Sequence, residues 1–353
     1  MRLALLLSML LAICCAGGYA QLPQHTDVSH LEPYKPQRQV SGTIRVYGNN
    51  YIPALMKRWQ DGFQKFEPGV TFTTNLPGTE AAMAGITSGT ADIAFIGREG
   101  YRSEIRGFKG RFGYEPLGIE ISSGSFGTPH KTFSLQVFTH ASNPLKGLTM
   151  AQAEAVFGCA GPNGKAIRAW GELGVTGPMA THLIHVYGYQ FDTGMAGYFN
   201  RVVLHDSGKW NAELKDFDNG HQPNGEVINA GVYILKALAA DPDGIAFANL
   251  LYANSDVKQI GLAEHAGGSF VLATPETIWD RSYPLHRFST LYINRRLGTA
   301  VDPKIKEFIR YILSREGMQA VVDDGAYTPL NEATAAEQRR KLDSTTSTQK
   351  RTP

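Results

Sequence analysis

Three polar residues in the first third of the sequence can donate hydrogen bonds to an anion, and each follows a strand-like run. Asn50 comes after GTIRVYGN, Thr79 opens a helix-like segment after VTFTTNLPG, and Arg98 comes directly after ADIAFIG. The first N–H groups of a helix have no partner within the helix, so a helix start with an amide or hydroxyl beside it binds anions. These positions predict one side of an anion-binding crevice.

A second side of that crevice is predicted in the middle of the chain, within IHVYGYQFDTGMAGYFNRVVL at residues 184–204. A β-branched run breaks at Gly188, and a helical pattern begins after Asp192-Thr193-Gly194. Asp192 or Thr193 can cap this helix, and Gly194 lets another group approach its first N–H groups without a Cβ in the way. The segment therefore predicts a strand, a turn and a helix whose start can hold an anion.

Each of these residues has a commoner structural role when it is taken singly. Asn50, Thr79 and Thr193 are ordinary helix-capping residue types, and Arg98 can be a surface ion-pair partner. The hypothesis of one crevice depends on the four occurring together at strand ends and helix starts.

Alternating strands and helices surround the four positions. The strand-like segments are residues 42–47, 70–75, 91–96, 133–138, 184–189, 245–248 and 283–294. Helical patterns occupy residues 52–66, 77–88, 150–157, 194–204, 225–240 and 303–322. Such alternation predicts mainly parallel α/β sheets, in which the carboxyl ends of the strands and the helix starts form the ligand crevice. The length exceeds what one core usually serves, so two lobes are expected.

The two ends of the chain differ from its centre. Residues 1–20 have one basic residue, an apolar run and a small-residue ending at Ala20, which is the pattern of a cleaved secretory signal peptide. We therefore expect a periplasmic protein, with a lipid anchor unlikely because Ile13 or Cys14 would occupy the small-residue position before Cys14 or Cys15. Residues 21–40 are predicted as a flexible tether and residues 331–353 as a polar C-terminal tail.

Composition and charge exclude several classes of function. The net charge is +2 with both signs scattered, so no nucleic-acid footprint is visible. His182 and His185 are too few for a metal site, and no cofactor motif is present. A hydrolase is disfavoured because the chain has no Gly-x-Ser-x-Gly elbow and no zinc-ligand helix, and we predict that the protein is not an enzyme. Only Cys159 remains after the leader, so the mature chain has no intramolecular disulfide.

The order and spacing of several turns resemble the phosphate-binding proteins of bacterial high-affinity phosphate ABC importers over residues 41–330. The segments that carry the resemblance are GNNY at 48–51, GT at 78–79 with TADIA at 90–94, TG at 193–194 with GYF at 197–199, DGIAF at 243–247, LSREG at 313–317 and YTPL at 327–330. The resemblance implies a type II periplasmic binding protein fold, with two α/β lobes joined by two crossing segments. It places lobe I at 41–129 plus 283–330 and lobe II at 130–282.

The resemblance also implies ligand-binding residues in the first lobe. The family's hydroxyl and aromatic pair in the first turn falls on Asn50 and Tyr51, and its serine at the second helix falls on Thr79. An acidic residue found after the third strand in some relatives falls on Gly97. Arg98, beside Gly97, can supply a cation from this lobe. An Arg98 side chain that faces solvent is an equal alternative.

In the second lobe the chain departs from the family pattern. The Ser-Gly-Thr triplet falls on Thr193, Gly194 and Met195, so the last hydroxyl is lost. The family's arginine, four residues before the triplet, falls on Tyr189. The resemblance thus leaves a neutral phenol where a charged clamp is expected.

The leading expectation is a monomeric solute-binding protein that captures phosphate or a related oxyanion and delivers it to a membrane ABC permease. The loss of the arginine and of the threonine motivates an alternative, in which the fold serves as a sensory or protein-interaction module with an altered or lost small ligand.

Overall fold

The computed structural model describes residues 20–345, so most of the predicted leader and the last residues of the tail lie outside it. Thirteen strands occur in this part of the chain: β1 Gly42–Gly48, β2 Val70–Asn75, β3 Ile93–Ile96, β4 Leu117–Ser123, β5 Gln136–His140, β6 Gly147–Thr149, β7 His185–Tyr189, β8 Lys215–Phe217, β9 Gly220–His221, β10 Val227–Ile228, β11 Gly244–Ala248, β12 Val257–Ala263 and β13 Phe288–Ile293.

Ten α-helices accompany these strands within the described residues. They are α1 Pro53–Gln64, α2 Thr79–Ser88, α3 Arg102–Phe112, α4 Met150–Phe157, α5 Gly194–Val203, α6 Ala230–Ala239, α7 Pro275–Trp279, α8 Pro303–Ile312, α9 Arg315–Asp324 and α10 Glu332–Asp343. Between residues 20 and 345, no helix has the length and apolar character that crossing a bilayer requires.

The first sheet has the strand order β2-β1-β3-β13-β4. Its first three strands are parallel, and β13 joins them antiparallel to both β3 and β4. Because β1 and β3 are parallel and Gly48 lies opposite Phe95, the turns that follow these two strands emerge at the same edge of the sheet. The last strand thus returns to the first sheet, as the pattern in the sequence predicts.

The second sheet has the order β6-β12-β5-β11-β7-β8. The pairs β11–β7 and β7–β8 are parallel, whereas β5 runs antiparallel to both of its neighbours. The mixed α/β architecture confirms the predicted fold class.

Each sheet has its own apolar core. One core includes Trp59, Phe63 and Phe308 around the first sheet, and another includes Phe199 and Phe247 around the second. The chain passes between the sheets over residues 124–135 and again over residues 264–287. These two stretches are called the crossing segments below. The predicted lobe boundaries are compatible with this division and stay a prediction.

The prediction of a flexible tether at residues 21–40 is wrong for the described part of the chain. Val28, Leu31 and Tyr34 are buried in the core of the first sheet, where Tyr34 donates to Glu307 at 2.8 Å. The Gln24 side chain donates to Thr128 at 3.0 Å and accepts from the backbone N–H of Phe126 at 2.9 Å, both in the first crossing segment. The apolar residues at three-residue spacing supply the burial that holds this segment in place.

The prediction of a polar C-terminal tail is also wrong for residues 332–343, which form the packed helix α10. Its Ala335, Gln338 and Leu342 are buried, and Asn331 caps the helix by accepting from the N–H of Thr334 at 2.9 Å. Gln338 accepts from the N–H of Glu120 on β4 at 3.1 Å. The helix therefore covers part of the first sheet.

Candidate functional site

A crevice of about 330 Å³ lies between the two sheets, next to both crossing segments. Seven of the eight residues predicted for the site line it. They are Tyr51, Thr79, Arg98, Tyr189, Thr193, Gly194 and Met195. The turns after β1, β3 and β7 and the starts of α2 and α5 bring these residues to one place, which is the edge where ligands bind in open α/β sheets.

The turn after β1 presents Asn49 to the crevice rather than Asn50. Asn49 is 7% exposed, its Oδ1 accepts from the N–H of Tyr51 at 2.6 Å, and its Nδ2 donates to the hydroxyl of Thr79 at 3.0 Å. Asn50 is exposed, and the cap position of α1 is occupied by Ile52 without a side-chain hydrogen bond. Asn49, and not the predicted Asn50, therefore lines the crevice, because the local turn aims the preceding amide inward.

Thr79 can donate a hydrogen bond to a ligand. Its oxygen accepts from Nδ2 of Asn49, an amide nitrogen that has no lone pair to accept the hydroxyl proton in return. A threonine hydroxyl can donate once while accepting, so Thr79 can donate to an anion oxygen and keep its bond from Asn49.

Gly97 explains why this crevice has no acidic side chain directly after β3. A Cβ built at Gly97 would lie 2.5 Å from Nδ2 of Asn49, which real side chains do not tolerate. Any side chain at this position would therefore displace the Asn49 amide from its present place.

Thr193 performs the structural role that is the commoner use of such a residue. Its oxygen accepts from the N–H of Ala196 at 3.2 Å as the N-cap of α5, and its hydroxyl donates to the carbonyl of Gln190 at 2.7 Å. With its one proton committed, Thr193 contributes to an anion site chiefly by ordering the helix start.

Tyr189 lies in the wall of the crevice and is 1% exposed. Its hydroxyl faces Oδ1 of Asn229, the N-cap of α6, at 3.4 Å, which is too long for a strong hydrogen bond. Burial, reinforced by Tyr252, raises the pKa of Tyr189 well above its ordinary value. The phenol therefore stays neutral and can act as a hydrogen-bond donor to a ligand.

Arg98 is not a free cation in this structure. Its Nη1 and Nη2 lie 2.9 Å from the two carboxylate oxygens of Glu104, and its guanidinium stacks 3.6 Å from the ring centre of Tyr101. Burial acts to lower the pKa of Arg98, but the hydrogen bonds and attraction of Glu104 outweigh it and raise that pKa. Glu104 therefore occupies the two guanidinium nitrogens of Arg98 with which a bidentate contact to an anion would be made.

Two other cations, one in each crossing segment, line the crevice and were missed in the sequence. Lys131 follows His130, a residue at φ 60°, and its ammonium donates to the backbone carbonyl of Tyr51. Burial lowers the pKa of Lys131, and Asp324 opposes the shift. No carboxylate within the described residues lies at ion-pair distance from Lys131, so this charge is available to a ligand.

Arg287 is the second of these cations and is 2% exposed. Its Nη2 pairs with Glu99 at 3.0 Å, its Nη1 lies 3.1 Å from the sulfur of Met195, and its guanidinium stands 4.6 Å from the ring centre of Tyr198. A thioether accepts hydrogen bonds weakly, so Nη1 is held less firmly than Nη2. Arg287 thus approaches Met195, the position at which the triplet has no threonine.

No protein-family model matches the chain. The phosphate-binding protein PstS from two strains of Pseudomonas aeruginosa is 28% identical over 332 residues, which cover 94% of this chain and 96% of the relative. PstS from Borrelia burgdorferi, a solved structure, has a TM-score of 0.53 at 14% identity and covers 82% of this chain and 100% of that one. The chain is similar to these phosphate-binding proteins, which confirms the resemblance, and its fold is the type II periplasmic binding protein fold.

Proposed function

We propose that the protein is an extracytoplasmic solute-binding protein that captures phosphate or a related oxyanion in the crevice between its two lobes. One observation carries the proposal: the crevice gathers neutral donors from both lobes and a cation from each crossing segment. Thr79 comes from the first lobe, Tyr189 and the start of α5 from the second, and Lys131 and Arg287 from the crossing segments. We infer that a small tetrahedral anion contacts groups from both lobes and from both crossing segments when the lobes close around it.

The positive charge of the site comes from a different place than the resemblance implies. Lys131 and Arg287 take the role expected of an arginine at Tyr189, and the backbone N–H groups at the starts of α2 and α5 complete the cradle. A ligand held by both lobes favours their closure, because it makes interactions in the closed arrangement that the open one lacks.

The biological setting follows from the same proposal. The protein acts as a monomer in the periplasm after removal of its leader, delivers the anion to a membrane ABC permease, and carries out no reaction on it. The length and extent of similarity to the PstS proteins of P. aeruginosa support this setting. Nucleic acid has no part in it.

A thermal-shift screen of the mature protein with phosphate, arsenate, sulfate and methylphosphonate tests the proposal. A ligand present at one hundred times its dissociation constant adds ~2.7 kcal/mol to the unfolding free energy and raises the melting temperature. We expect phosphate or one related oxyanion to produce such a shift.

A second candidate is a sensory or protein-interaction module on the same fold. It is favoured by one group of contacts: Thr193 has committed its proton, Arg98 is paired with Glu104, and Met195 offers no donor. The screen separates the two functions, because an interaction module shows no shift with any oxyanion at millimolar concentration.

A further inference from the structure

A second cavity of about 490 Å³ lies on the first lobe, over the face of the first sheet at its β4 edge. We call it the lateral cavity. Its floor is formed by β13 and β4, where the ring of Tyr292 lies across Gly118 so closely that a Cβ there would meet it at 2.7 Å. The end of α3 and the end of α10 form its sides, through Lys109 and Lys341. It shares no lining residue with the crevice.

The lateral cavity contains buried polar atoms that lack a partner among the described residues. Arg295 is 6% exposed, and while its Nη1 donates to the carbonyl of Ser344, its Nε has no hydrogen-bond acceptor. Thr290 is 4% exposed, and its hydroxyl also has no partner. A buried donor without an acceptor is costly, so two in one cavity point to a ligand that supplies the acceptors.

The charges around these donors favour an anion. Neither Arg295 nor Lys341 lies within ion-pair distance of a carboxylate in the described chain. Burial lowers the pKa of Arg295, and it also lowers that of Lys341 against the attraction of Glu120 and Glu337. An anionic group between the two cations would stabilise both charged forms.

The acidic residues of the cavity are already paired and limit the charge of the ligand. Oε2 of Glu120 lies 2.7 Å from Nη2 of Arg281, an ion-pair contact without hydrogen-bond geometry, and Glu115 lies 3.3 Å from Lys109. Both carboxylates still repel a second negative charge, so a monoanion fits this cavity better than a dianionic phosphate.

The remaining lining of the lateral cavity is apolar, so the part of the ligand beyond its anionic group should be apolar too. Leu117 is buried, Phe288 and Tyr292 are half-buried, and Leu297 is 50% exposed. A cavity of this size with apolar walls and a few polar groups is typical of small-molecule sites. An aliphatic or aromatic body of moderate size would cover these side chains.

We propose that the lateral cavity is a binding site for an amphipathic monocarboxylate, held by Arg295, Lys341 and Thr290 at its carboxylate and by the apolar side chains along its body. This site is separate from the crevice, so it can be occupied together with an oxyanion there. It does not depend on the function proposed above.

Calorimetric titration of the mature protein with octanoate tests this site. We expect saturable binding of one octanoate, about tenfold weaker binding to Lys341→Met because its ammonium no longer meets the carboxylate, and weaker binding to Thr290→Val. Arg340→Met is the matched control, since Arg340 lies on the same helix and is exposed, and it should bind octanoate like the wild type. Circular dichroism on each variant checks that the fold is retained.

Three results would overturn the site. They are absence of saturable octanoate binding, equal binding of octanoate by Lys341→Met and the wild type, and binding of 1-octanol as tight as that of octanoate. Competition separates this site from the crevice: saturating phosphate should leave octanoate affinity unchanged, and displacement by phosphate would assign octanoate to the crevice instead.

Discussion

Arg287 donates a hydrogen bond from Nη1 to the sulfur of Met195 across 3.1 Å, which joins the second crossing segment to the first turn of α5. The same guanidinium is held by Glu99 on its other side at 3.0 Å. Because sulfur is a weak acceptor, an anion oxygen can take over Nη1 without disturbing the pair with Glu99. Arg287 is thus an ordered, charged donor in the crevice. The family resemblance places an arginine at position 189, where this chain has a tyrosine.

The bond between Arg287 and Met195 predicts the effect of restoring a hydroxyl at position 195. Met195→Thr adds a donor beside Nη1 of Arg287, and one additional hydrogen bond should tighten phosphate binding about three- to tenfold. Met195→Leu is the control, since it keeps the apolar volume and adds no donor. Calorimetric titration of both variants measures the difference, and equal dissociation constants would show that position 195 does not face the ligand.

Lys131 should contribute the most accessible positive charge. Lys131→Met keeps most of the apolar stem of the side chain and removes the charge, so phosphate binding should weaken about tenfold, in line with ~1.5–3 kcal/mol for a hydrogen bond to a charged group. Lys165→Met removes an exposed lysine that does not line the crevice and is the control for net charge. If both variants bind phosphate equally well, Lys131 does not touch the anion.

Thr79 and Thr193 should differ in the effect of their removal. Thr79→Ala removes a donor to the ligand, so we expect about tenfold weaker phosphate binding, and it also leaves Nδ2 of the buried Asn49 without its acceptor. Thr193→Ala removes the N-cap of α5, so the unfolding free energy should fall by ~1 kcal/mol while the affinity changes less. Urea unfolding and titration of the two variants check this contrast, which the reverse pattern would refute.

The pair of Glu99 and Arg287 predicts a dependence of stability on pH. Burial would raise the pKa of Glu99, but the attraction and hydrogen bond of Arg287 outweigh it and hold that pKa below its ordinary value of 4.5. A carboxyl whose pKa is lower in the folded state stabilises the fold above its unfolded pKa, and this stability is lost as the pH falls through the lowered value.

Urea unfolding from neutral pH to below pH 4.5 measures this dependence. Wild type should lose stability steeply in the acid range, whereas Glu99→Gln should be less stable at neutral pH and show a shallower loss. Glu213→Gln, at an exposed position, should follow the wild-type curve. Parallel curves for the wild type and Glu99→Gln would mean that the pair does not contribute to acid sensitivity.

The parts of the site that the sequence predicts are those with local signals. Thr79 and Thr193 stand at strand-to-helix turns that are readable within a few residues, and the structure places both at helix starts, Thr193 as the N-cap of α5 and Thr79 directly after Gly78, the N-cap of α2. Asn49 was missed because the choice between two adjacent asparagines depends on the turn conformation. Lys131 and Arg287 lie in crossing segments without periodicity, and only the folded chain brings residues so far apart in sequence together.

The N-terminal segment carries a sequence signal for burial. Val28, Leu31 and Tyr34 recur at three-residue spacing within a polar, proline-containing stretch, and all three are buried. Low overall hydrophobicity favoured a tether, but a few regularly spaced apolar side chains were enough to anchor the segment to the core of the first sheet.

Lys131 and Arg287, one in each crossing segment, should neutralise the charge of a phosphate-like anion bound between the lobes. Calorimetric titration of phosphate into the wild type and into the double variant Lys131→Met/Arg287→Lys tests this most directly, with circular dichroism to confirm the fold of both. We predict one saturable site in the wild type and about a hundredfold weaker binding in the double variant, because one charged donor is removed and the other is misaligned. Equal affinity in the two proteins, or no phosphate binding by the wild type, would contradict this arrangement of charge.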